Sequence, residues 1–124
     1  MTTIGVIVVF PDGHHAPANL LTDPAGERHG LQVLTGDDEV KLVELGPELW
    51  MWVGDDKFGR PGPVNPVVAR VCRFPGARRP DEDIRGTVVF TGPRDEQGQL
   101  ATLSTHWSGV VKVQSIEARG ARRR

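Results

Sequence analysis

Residues 39–53, EVKLVELGPELWMWV, constrain the fold most: two short apolar segments meet at Gly46-Pro47, a pair that belongs in a turn. A period of two in 48–53 places Trp50 and Trp52 on one face of a strand and Leu49, Met51 and Val53 on the other. The two segments pair as a hairpin across that turn. The opening run TIGVIVVF at 3–10 supplies a buried central strand: it is β-branched and too short for a typical helix.

From the hairpin the chain enters an acidic, glycine- and proline-rich loop, then a helix capped by Asn65 and opened by Pro66, reading 66–74. Val67, Val68, Val71 and Cys72 share its apolar face. Asp23-Pro24 opens a weaker helix over 24–35, in which Gly26 and Gly30 both cost helix stability. Residues 11–19 read as loop, 84–91 as a fourth strand and 99–103 as a fifth. Residues 110–116, VVKVQSI, are open to strand or one helical turn, and their β-branched content favours strand. The expected fold is α+β: a mainly antiparallel, twisted sheet of about five strands with one or two short helices packed on it. One globular domain spans 1–118, and 119–124 form a disordered basic tail.

With 15 glycines and 10 prolines in 124 residues, much of the chain must be turn and loop. No run approaches the roughly 20 apolar residues that span a membrane, and the N-terminus lacks the basic start and cleavage site of a signal peptide. Cys72 is the single cysteine, so no internal disulfide or CxxC metal pair is available, which suits a reduced, cytoplasmic setting. Basic and acidic residues number 15 and 16, but four arginines fall at 119, 122, 123 and 124 with no acid among them. The remainder is therefore acidic, and no specific nucleic-acid surface is expected. Any such binding should be non-specific, confined to low salt and removed with 119–124.

The segment 49–92 carries a resemblance. An apolar strand, the acidic pair Asp55-Asp56, a loop containing Gly59, Pro63, Asn65, Pro66 and Ala69, then Gly86, Val88, Val89, Phe90, Thr91 and Gly92 resemble the small family catalogued as domain of unknown function 3846. The opening IGVIVVFPDG and the strand EVKLVEL extend the resemblance over about 3–103. The insertion GARRPDED and the Trp-containing extension past 104 depart from it. The family is carried mostly by bacteriophages, plasmids and other mobile elements; the resemblance implies an accessory protein and assigns no reaction, cofactor or catalytic residue.

Candidate functional residues divide between two readings. In the first the protein is non-catalytic and binds a host or partner protein through the 49–74 block. Trp50 and Trp52, if partly exposed, would form the patch, with Asp55, Asp56, Gly59 and Asn65 beside it. In the second it is a small enzyme or ligand-binding protein. There Asp55, Asp56 and Asn65 orient a substrate, and His14 or His15 serves as acid–base group because histidine titrates near neutral pH. Each residue also has a plainer role: the two acids as a turn, Asn65 as a helix cap, the tryptophans as core. His14, His15, His106 and Asp12 would need the fold to bring them together before they could hold a metal, and solvated loop histidines are the simpler reading. No metal or other cofactor is expected.

Overall fold

The computed structural model describes residues 2–55 and 63–122. Among them the elements run β1 (Thr3–Val9), β2 (His15–Leu21), α1 (Pro24–Thr35), β3 (Val40–Gly46), β4 (Leu49–Gly54), α2 (Pro66–Val71), β5 (Val88–Thr91) and α3 (Thr105–Arg122). The strands form one sheet ordered β2-β1-β5-β4-β3, antiparallel at every pairing. Two hairpins, β1–β2 and β3–β4, are thus joined by β5, which enters between them. All four residues of β5, VVFT, are buried, as a central strand covered on both faces requires.

The alternation seen in the sequence sorts the side chains into two cores. Ile7, Val9, Met51, Val53, Val88 and Phe90 face α2 and α3, where they meet Val67, Val71, Trp107 and Val111. Val6, Val8, Trp52 and Val89 face the other way, against Leu31 of α1 and Leu100. The expected hairpin is present, with Trp50 and Trp52 on the α1 side and Leu49, Met51 and Val53 on the opposite side.

Asp23 caps α1, its Oδ2 accepting from the Gly26 amide at 2.9 Å. The glycines that weaken this helix have a packing reason: a Cβ on Gly26 would come within 2.7 Å of Leu21 Cβ, and one on Gly30 would collide with the Leu20 side chain. Both positions must be small for α1 to lie against β2.

Four expectations are corrected. The segment read as loop contains β2, an edge strand with one neighbour; Pro17, which cannot donate to a ladder, is tolerated at such an edge. Residues 99–103 make only an isolated bridge, Arg94 to Leu100, and cross between layers, with Leu100 in one core and Leu103 in the other. Residues 110–116 lie inside α3 rather than in a strand. Trp107, Val111 and Ala118 fall on its inner side, so tertiary packing overrides the β-branched content of VVKV. The number of helices is therefore three, one of them long. The helix continues through Arg122, so residues 119–122 belong to its last turn.

Candidate functional site

Trp52 stands on β4 facing α1, and its indole N–H donates to Thr91 Oγ1 at 3.0 Å. The Thr91 hydroxyl in turn donates to the Gly92 carbonyl at 2.8 Å. The Arg94 guanidinium carbon lies 5.8 Å from the Trp52 ring centroid, within cation–π range. That guanidinium grips Glu27 of α1 through two bonds, 2.6 and 3.1 Å, and donates to the Gly98 carbonyl at 2.9 Å. Glu27 is only 8% exposed, so Arg94 balances a buried charge. The hydrogen bond to Glu27 raises the Arg94 pKa above its ordinary value, against a smaller opposing effect of burial.

Beside this cluster, between α1 and the end of the β3–β4 hairpin, a cavity of about 370 Å³ opens. Trp52 and Gln32 line it together with the acidic residues Glu27, Asp38, Glu39 and Asp55, and Arg28 is the basic residue on its wall. Asp55 is fixed by its backbone, whose N–H donates to the Glu39 carbonyl at 2.8 Å and extends the hairpin by one residue. Glu27 is neutralised by Arg94, and Asp38 and Asp55 are further acids on the wall. The wall is acidic, and Trp52 contributes an aromatic side chain to it.

The sequence candidates distribute as follows. Trp52 and Asp55 share this cavity. Trp50, on the same sheet face, is half-buried and packs against the α1-side core. The tryptophan face is thus core at Trp52, with Trp50 partly exposed. Asp56 and Gly59 lie outside the described residues.

Asn65 is 1% exposed and faces inward. Its Oδ1 accepts from the Val67 amide at 3.2 Å, and its Nδ2 donates to the carbonyls of Val9 at 3.2 Å and Gly86 at 3.0 Å. The expected cap is present, but the same amide also ties β1 and the strap before β5 to α2. Those bonds leave its amide facing protein on every side, as a clamp would be.

His14 is exposed and sits 3.0 Å from the exposed Asp12 carboxylate. His15 Nδ1 lies 2.9 Å from Ser115 Oγ, and the Ser115 hydroxyl donates to the Gly13 carbonyl. With its proton so placed, Ser115 accepts from His15 Nδ1–H, which leaves Nε2 as the acceptor nitrogen. Burial first, then the charges of Arg119, Lys112 and His14, push the His15 pKa below 6.5. His15 and Asp55 occupy the same end of the sheet. The register His15–Val9–Val88–Val53 nevertheless sets β2 three strand spacings from β4, about 14 Å. Direct cooperation of His15 with Asp55 would require a substrate bridging that gap.

Cys72 is buried, and burial raises its thiol pKa to about 11, so it is a neutral, inert thiol at neutral pH. Among the described residues no three His, Cys, Asp or Glu side chains are grouped to hold a metal ion, and no helix is long and apolar enough to cross a membrane.

Sequence reasoning missed Glu27, Arg94 and Ser115. Glu27 had a signal: it precedes Leu31 and Thr35 at spacings of four, and these three are the buried residues of α1. Arg94 reads as an ordinary turn residue, because its partner is 67 positions away. No family model, curated protein or solved structure matches the chain.

Proposed function

We propose that this chain is a non-catalytic protein that binds a host or partner protein, and that the acidic cavity between α1 and the β3–β4 hairpin receives a basic side chain of that partner. The observation that carries the reading is the wall itself: Asp38 and Asp55 line it with Trp52, and Glu27 is already balanced by Arg94. Such a wall steers a lysine or arginine inward and gives it an aromatic surface to rest on. The half-buried Trp50 supplies apolar contact on the same sheet face. The resemblance of 49–92 to a family borne by mobile elements supports an accessory role, including interference with a host defence or regulatory system.

The hydrogen-bond accounting favours this over the enzymatic reading. Asn65 and Ser115 are bonded within the fold, and Cys72 is held protonated. The test is affinity capture on immobilised protein at physiological salt, comparing wild type with an Asp38→Lys/Asp55→Lys double variant of unchanged circular dichroism. A discrete protein retained by wild type and lost from the variant is expected. Equal capture by both would remove the cavity from the proposal.

A further inference from the structure

Helix α3 is apolar on two sides, although the rest of the molecule covers only one. Trp107, Val111 and Ala118 are in the core. Opposite them Gly109, Val113, Ile116 and Gly120 follow one another at spacings of four, three and four, the rhythm of a coiled-coil seam. Val113 and Ile116 are 50% and 56% exposed. Gly109 and Gly120 are unexplained within one copy: neither has a positive φ, and nothing lies within 4 Å of the place a Cβ would occupy. Glycine weakens a helix interior. Elsewhere this fold places helical glycines under a close neighbour, as Gly26 and Gly30 lie under Leu21 and Leu20. At 109 and 120 the space for a neighbour is present and the neighbour is outside the chain.

We propose that α3 packs in parallel against α3 of a second copy of this chain, with Val113 and Ile116 at the centre of the seam and the two glycines admitting close approach at its ends. The flanking charges select both the occupant and the orientation. Taking Val113 as a core a position, Lys112 is the preceding g and Glu117 the following e. In a parallel pair a g residue meets the e residue five positions on in the other helix, so Lys112 faces Glu117 of the second copy, twice by symmetry. An antiparallel pair would set lysine by lysine and glutamate by glutamate. Glu117 has one long contact within its own chain, 3.8 Å to Arg70, and its side chain is 55% exposed. A seam of three helical turns is small, so the dimer is weak, with a dissociation constant on the order of 100 µM.

Sedimentation equilibrium from about 10 µM to 1 mM brackets that constant. Wild type should move from the mass of one copy toward two, and Val113→Glu, on an exposed helix face, should stay at one copy with unchanged circular dichroism. Lys112→Glu and Glu117→Lys should each weaken association roughly fivefold, and the double reversal should restore it. Under oxidant, Val113→Cys should cross-link as a dimer far faster than Val33→Cys, an equally open control on α1 that is 64% exposed. A single-copy mass throughout would overturn the proposal. So would a double reversal that fails to restore association, or cross-linking that requires cysteines at both 113 and 116. Monomeric protein that binds phospholipid vesicles through Val113 would overturn it too, assigning the seam to a lipid surface.

Discussion

On the side of the sheet that carries α2 and α3, Phe90, Met51 and Val88 meet Val67, Val71 and Val111, and the main polar feature is the Asn65 clamp. On the α1 side, aliphatic packing gives way at its margin to Trp52, Thr91, Arg94 and Glu27 joined by hydrogen bonds and an ion pair. The two sides share the same five strands, so the difference lies in what covers them. Hydrocarbon against hydrocarbon excludes water and leaves no handle for a ligand. A charged, aromatic margin costs more to build and sets acidic residues around an open cavity. The first side holds the fold together, and the second gathers charged and aromatic side chains beside an open cavity.

The sharpest contrast should come from truncating each side. Phe90→Ala, at 0% exposure in the central strand, should cost about 3–5 kcal/mol, measured by urea unfolding. Asn65→Asp separates the cap from the clamp. The carboxylate still accepts from the Val67 amide but faces the carbonyls of Val9 and Gly86, so a loss of about 2–4 kcal/mol is expected; a loss below about 0.5 kcal/mol would show that the cap alone matters.

The charged margin should be less costly to disturb. Arg94→Met strands the buried Glu27 carboxylate, but the Arg94 side chain is 37% exposed, so solvent screening limits the loss to about 1–2 kcal/mol. Adding Glu27→Met should recover most of it, since two apolar groups satisfy one another. A double variant as unstable as the single would mean that the pair contributes more than mutual neutralisation.

The smallest effect concerns pH. His15 has a folded pKa depressed below 6.5, so the unfolded chain binds its proton first as pH falls. Its contribution to stability is complete above about 6.5 and is lost as pH drops through the folded value. His15→Gln should flatten the fall in melting temperature just below that pH, measured by thermal unfolding across the range.

How much of this was legible in the sequence depends on the range of the interaction. The hairpin of 40–54, the central strand at the N-terminus, both proline-opened helices and the Asn65 cap are written in neighbouring residues, and they are present. Helix α3 is not legible locally because Val110, Val111 and Val113 resemble a strand over seven residues, and the helical rhythm emerges only from Trp107 to Ala118. Of the binding candidates, Trp52 and Asp55 meet in one cavity because they end the same strand. Glu27 joins them from α1 and Arg94 from a turn. No local pattern encodes a pairing across 67 residues.

The central claim is that the acidic cavity receives a basic side chain of a partner protein. Quantitative mass spectrometry of proteins captured at physiological salt tests it most directly, using wild type, Asp38→Lys/Asp55→Lys, and Glu96→Lys as a charge change on an exposed turn away from the cavity wall. The account predicts a protein enriched by wild type and by Glu96→Lys and lost from the double variant. The same enrichment by all three, or loss from Glu96→Lys as well, would contradict it.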